Sequence, residues 1–196
     1  MSRADRRPRR RLDVAQRRAA ILDAARTAFG AGAYQQVALS RIAEAADASE
    51  ALVLRYFTSK AALYVEVVRE AIALLLEHQR QADEALPPAT DPLERVATSA
   101  RVYLDFVAAI PHGWAGPLRA PFGEPPEAEA LRVELRAHYV GLMGELLGRE
   151  SELAFHGYLG FLDAACLAWV ESGCPERERE PLAAMAVGAL RGALRA

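Results

Sequence analysis

Two short apolar runs flank Asp47-Ala48 in LSRIAEAADASEALVLRYFTSK, residues 39–60. Ile42, Ala43 and Ala46 mark one helical face, and Val53 and Phe57 repeat at i, i+4, so the stretch reads as two short helices joined by a turn at residues 47–49. Ser49 is placed to cap the second, because its hydroxyl can accept from a backbone N–H that the first helical turn leaves free. Helices this short bury too little surface to stand alone, so the unit requires further helices around it.

The charge of the chain is divided in a way that suits such a unit. Met1 to Leu63 holds twelve Lys and Arg against six Asp and Glu, or +6, whereas Tyr64 to Ala196 holds twelve against twenty, or −8. A basic front joined to an acidic remainder points to an anionic partner for the front alone. Residues 1–13, MSRADRRPRRRLD, concentrate six arginines around Pro8 and are expected to form a disordered basic arm that follows a phosphate backbone or enters a minor groove.

Tyr34, Ile42-Ala43, Ser49, Tyr56-Phe57, Ser59-Lys60 and Leu63 together resemble the helix-turn-helix of the TetR family of bacterial transcription regulators. The resemblance covers roughly residues 16–68, and Tyr-Phe-x-Ser-Lys-x-x-Leu is its most distinctive piece. It implies an all-α protein with a three-helix DNA-binding domain over 14–63 and a ligand-binding and dimerisation domain over 64–196. It also implies DNA contact by Ser40, Ser49, Glu50, Ala51, Arg55, Tyr56 and Lys60, the last two at phosphate. Asp47 stands where the family has a turn glycine, Leu54 where it has an aromatic, and Val37-Ala38 where it has threonines. Asp tolerates a left-handed turn, so the first change is compatible with the fold. From the residues alone, Arg55 in a major groove can give a bidentate pair to guanine, and Glu50 can accept from cytosine. Lys60 lies at a helix N-terminus, where free N–H groups favour an anion.

Helical periodicity continues beyond this unit. Helices are expected at 14–30, from Lys60 to about Glu84, from an Asp91 cap to about Ile110, and at about 127–147, 151–171 and 180–194. The helix from Lys60 spans roughly 37 Å at 1.5 Å per residue, long enough to belong to both domains. Residues 111–126, rich in Pro and Gly, read as a loop or broken helix carrying Trp114 and Phe122.

Aromatics concentrate in the acidic half, where the resemblance implies a small-molecule site. Tyr103, Phe106, Trp114, Phe155, His156 and Tyr158 are the candidate ligand-binding residues, with Tyr103, His156 and Tyr158 supplying the few polar groups of a largely apolar cavity. A stripe of Leu159, Leu162, Cys166 and Trp169, with Gly188, Ala189, Gly192 and Ala193, is the candidate interface of a homodimer formed through residues 151–194.

Other chemistries find little support. His78, His112, His138 and His156 are scattered without metal-ligand spacing, Cys166 and Cys174 form no Cys-x-x-Cys pair, and no phosphate loop or catalytic constellation stands out. No catalytic residue, metal or cofactor is therefore expected. No uninterrupted apolar run approaches the ~20 residues a membrane-spanning helix requires, and no apolar h-region follows the first arginines. The expectation is a cytoplasmic repressor that binds an inverted-repeat operator in double-stranded DNA and is released by a small molecule. Two alternatives remain: a DNA-binding regulator that answers to a protein partner, and a helical ligand-binding protein or enzyme whose helix-turn-helix is structural.

Overall fold

The computed structural model of the chain describes residues 13–111, 113–114, 123–148 and 151–195. The arginines of the arm, His112 and Phe122 lie outside the described residues. Eight α-helices and no strand occur among the described residues: α1 Val14–Gly30, α2 Leu39–Ala45, α3 Glu50–Phe57, α4 Lys60–Glu84, α5 Pro92–Ala109, α6 Pro126–Leu147, α7 Glu152–Glu171 and α8 Glu176–Ala193, with a 3₁₀ turn at Tyr34–Gln36.

The starts of the first helices follow from their caps. Asp13 accepts from the Gln16 N–H at 2.7 Å while the Gln16 side chain accepts from the Asp13 N–H, a reciprocal capping box that opens α1. Ser49 accepts from the Leu52 N–H at 3.2 Å to open α3, and Ser59 accepts from the Ala62 N–H at 2.9 Å to open α4. Asp47 takes φ +47° in the turn between α2 and α3, in the left-handed conformation that its short polar side chain tolerates.

Two buried clusters result. The first gathers Ile21, Leu22, Ala25 and Phe29 of α1 with Ile42, Val53, Phe57, Leu63 and Tyr64. The second gathers Leu75, Tyr103, Leu104, Val107, Phe155, Leu162, Cys166, Trp169 and Leu190 from α4, α5, α7 and α8. Helix α4 crosses both, with Leu63, Tyr64, Val67 and Val68 in the first cluster and Leu75 in the second. By length and composition α7 is apolar enough to cross a membrane, with mean hydropathy 1.4. Its Phe155, Tyr158, Leu162, Cys166 and Trp169 are nevertheless core residues of this chain.

Two expectations change. The last helix begins at Glu176, not Glu180, so Pro181 lies inside it rather than at its first turn. Side chains tie the added turn to α5: Arg179 pairs with Asp105, and Arg101 reaches Glu180 at 3.0 Å. The second change concerns the apolar stripe of α7. Leu162, Cys166 and Trp169 are 6%, 0% and 3% exposed, so they face the core of their own chain and offer nothing to a partner.

Candidate nucleic-acid interface and ligand cavity

The outer face of the helix-turn-helix is built by subtraction. Once Ile42, Ala43, Val53 and Phe57 are buried, α2 and α3 turn Ser40, Arg41, Glu50, Ala51, Leu54 and Arg55 to the surface, with the capping Ser49 beside them. Several nearby arginines are committed elsewhere. Arg17 donates to the carbonyls of Ala46 and Asp47 at 3.0 and 3.1 Å, fastening the turn to α1, and Arg18 pairs with Glu66 while lying 4.9 Å from the Phe57 ring centroid. Arg26 pairs with Glu70 and Asp23. Among the described residues Arg55 and Arg41 make no such pair, which leaves their guanidinium donors available to an incoming anion or base edge.

Tyr56 is half-buried against the first cluster, and Lys60 is half-buried at the start of α4. The Lys60 ammonium sits 4.3 Å above the Tyr34 ring, and partial burial lowers its pKa. Tyr34 in turn packs 4.9 Å from Tyr64, which meets Phe29 edge-on at 4.9 Å. Val37 is 6% exposed, so the residue replacing a family threonine serves the core. Leu54 is 40% exposed and presents an alkyl group on the reading face.

A cavity of about 360 Å³ lies between α4, α5, α6 and α7. Of the candidate ligand residues, Tyr103, Trp114 and Tyr158 line it. Phe106 and Trp114 line a second space of about 850 Å³ between α1, α4 and α5, so Trp114 borders both. Phe155 is fully enclosed in the core and His156 is exposed, and neither lines either space.

The cavity wall is more polar than aromatic clustering suggested. Gln79, buried on α4, accepts from the Tyr139 hydroxyl at 2.7 Å and donates to the Ser99 carbonyl at 3.1 Å. Arg136 pairs with Asp163, which also accepts from the Tyr103 hydroxyl at 3.4 Å. The Trp114 indole N–H donates to the Tyr103 oxygen at 2.8 Å. Burial pushes the Asp163 carboxyl up despite Arg136, raises Tyr139 to about 12, and holds Tyr103 well above its usual range.

These polar groups join the cavity to the helix-turn-helix. The Arg132 guanidinium donates to both Glu124 oxygens, at 2.8 and 3.3 Å, and lies 5.5 Å from the centre of the Trp114 ring system. The Tyr64 hydroxyl donates to the same carboxylate at 2.8 Å. A continuous path of contacts therefore runs from Asp163 through Tyr103, Trp114, Arg132 and Glu124 to Tyr64, and on through Tyr34 to Lys60. Gly113 sets the spacing at its middle. A Cβ there would lie 2.8 Å from the Phe29 carbonyl oxygen and 2.9 Å from the Gly30 Cα, so only glycine lets this segment meet the end of α1. Gln79, Glu124, Arg132, Arg136, Tyr139 and Asp163 gave no sequence signal, because such residues on a helix ordinarily face water.

Among the described residues no cluster of three or more His, Cys, Asp or Glu could hold a metal ion. The arrangement suits recognition: an exposed helix face with uncommitted donors, and a separate cavity among the later helices.

Known proteins match both parts. The family model for bacterial regulatory proteins of the tetR family matches residues 21–67. The HTH-type transcriptional activator FasR of Mycolicibacterium smegmatis is 28% identical over 147 residues, which are 74% of this chain and 65% of that protein. A tetR-family regulator from Streptomyces coelicolor superposes with TM-score 0.81 at 21% identity, covering 94% of this chain and 82% of the other. The regulator FadR from Bacillus subtilis, solved in complex with stearoyl-CoA, superposes with TM-score 0.70 at 17% identity, covering 88% of this chain and 96% of the other. Residues 21–67 thus match the DNA-binding domain of bacterial regulatory proteins of the tetR family, and the helical body shares its fold with solved regulators of that family.

Proposed function

We propose that this regulator binds an inverted-repeat operator as a cytoplasmic homodimer, represses from it, and is released when a small molecule fills the α4–α5–α6–α7 cavity. The observation that carries the reading is the path of polar and aromatic contacts between that cavity and Lys60, because a ligand shifts DNA affinity only if it binds the DNA-fit and DNA-unfit arrangements differently. A molecule pressing on Trp114 and Arg132 changes the surroundings of Glu124, and Glu124 holds α4 through Tyr64. The presence of a cavity favours a small-molecule effector over a purely protein partner. The named ligand of the Bacillus subtilis neighbour supports an effector with a long apolar part.

In this reading Arg55 carries sequence information, with Ser40, Ser49, Glu50 and Ala51 around it, while Tyr56, Lys60 and the arm supply affinity at phosphate. The dimer forms through the outward faces of α7 and α8. Gly157, Gly160, Phe161 and Ala164 of α7 and Met185, Gly188 and Gly192 of α8 are exposed, and a Cβ added at any of these four glycines would meet nothing within 4 Å. A glycine inside a helix costs roughly 1 kcal/mol relative to alanine, and close approach of a partner helix gives that cost a purpose.

Binding of genomic fragments followed by fluorescence anisotropy tests the DNA half of the reading. Two recognition helices one helical turn apart, ~34 to 36 Å, should recover an inverted repeat. Arg55→Ala should lose ~1 to 3 kcal/mol of discrimination at particular base pairs. Lys60→Ala should weaken all sequences alike and reduce the salt slope by about one unit, and deleting residues 1–12 should reduce it further. Unchanged base preferences in Arg55→Ala would remove that residue from the reading face.

A further inference from the structure

The charged groups around the cavity are already matched with one another. Arg132 is held by Glu124 and Arg136 by Asp163, while Glu129 stands exposed at the margin. Among the described residues, three carboxylates and two guanidiniums leave the lining with a negative surplus, and both cations are paired. A carboxylate entering this space would have to take an arginine from its present partner and stay beside the carboxylate it displaced. At the inner wall a cation would face the same difficulty in reverse, because Asp163 already accepts from Arg136 and Tyr103, and Glu129, without an ion pair among the described residues, lies at the exposed margin.

The open hydrogen-bonding capacity is uncharged. Tyr158 is 6% exposed and lines the cavity, yet its hydroxyl makes no hydrogen bond among the described residues. Burial raises its pKa, so it stays a neutral donor. The neighbouring phenol, Tyr139, is spent on Gln79, and Tyr103 on Trp114 and Asp163. Lining the cavity with no acceptor among the described residues, the Tyr158 hydroxyl can donate to an oxygen on a molecule bound there. Around it Leu75, Ala100, Leu135, Leu159 and Leu162 offer apolar wall.

From this juxtaposition we propose that the cavity selects an uncharged, chain-like apolar molecule bearing a hydrogen-bond-accepting oxygen, and that the Tyr158 hydroxyl binds that oxygen. The proposal rests on the effector reading above and assigns that effector's chemical class and the residue that discriminates it.

The test uses the full-length protein at pH 7.5 with four probes of similar chain length: 2-undecanone, decane, decanoate and decyltrimethylammonium. Binding is read from the melting temperature and from the fluorescence of Trp114 in the cavity wall. The ketone should bind at least tenfold more tightly than decanoate or the ammonium compound. Tyr158→Phe keeps the ring and should weaken the ketone by about 3- to 10-fold while leaving decane unchanged. Decane binding also shows that the variant keeps its fold. Decanoate or the ammonium compound binding as tightly as the ketone, or ketone affinity unchanged in Tyr158→Phe, would overturn the assignment while leaving the effector site in place. Binding of none of the four, by protein that still holds its operator, would overturn the effector site itself.

Discussion

Ala164→Arg should convert the protein to monomers and lower operator affinity by on the order of 100-fold or more. Ala164 lies on the exposed face of α7, one turn from Gly160 and Phe161. In an interface on this face the new guanidinium would be buried beside apolar surface such as that of Phe161, 38% exposed. The loss of DNA affinity follows from geometry: one subunit reads one half-site, and linking two half-sites gains a factor of ~10² to 10⁴ without any new contact. Leu162→Arg makes the contrast. Its side chain points into the second core, so that substitution should lower the melting temperature sharply before any change in assembly can be read. Sedimentation of Ala164→Arg as an intact dimer would place the interface on another surface.

That contrast shows where sequence periodicity reaches and where it stops. Apolar spacing on α7 revealed a stripe through Leu162, Cys166 and Trp169, but a stripe looks the same whether it packs inside a chain or between chains. Burial separates the two: Leu162, Cys166 and Trp169 are buried within the chain, while Gly157, Gly160 and Ala164 on the opposite face are exposed. Caps were legible because their chemistry is local: Ser49 and Asp91 accept from N–H groups three and two residues ahead. The start of α8 was illegible because ion pairs from residues 101 and 105 of α5 hold its first turn. The cavity was legible as aromatic clustering at Tyr103, Trp114 and Tyr158. Its polar wall was not, since Arg136 and Asp163 stand 27 residues apart and only the fold makes them partners.

The Arg132–Glu124 pair should behave as a coupled unit in both stability and response. Glu124 keeps only 4% of its side-chain surface in water, so Arg132→Met leaves a buried carboxylate with the Tyr64 hydroxyl as its remaining partner. Removing one member of such a pair costs about 3 to 5 kcal/mol, which for a chain of this size lowers the melting temperature by roughly 6 to 20 °C. Replacing both, as Arg132→Met with Glu124→Met, removes the stranded charge and should recover most of that loss. The double variant should still bind operator, because Ser40, Arg55 and Lys60 lie outside the pair. It should respond less to the cavity ligand, because the last polar contact between the cavity wall and Tyr64 is gone. The coupling, read as the ratio of operator affinity with and without 2-undecanone, should fall about tenfold toward one, the loss of ~1.4 kcal/mol expected for a hydrogen bond to a charged group. Tyr64→Phe, which keeps the ring against Phe29 and Tyr34 and leaves Glu124 paired with Arg132, should reproduce the loss of coupling at a smaller cost in stability than Arg132→Met. A double variant as unstable as Arg132→Met would show that the cost lies in packing around Trp114. Full coupling in Tyr64→Phe would show that the signal reaches α4 through the apolar contacts alone.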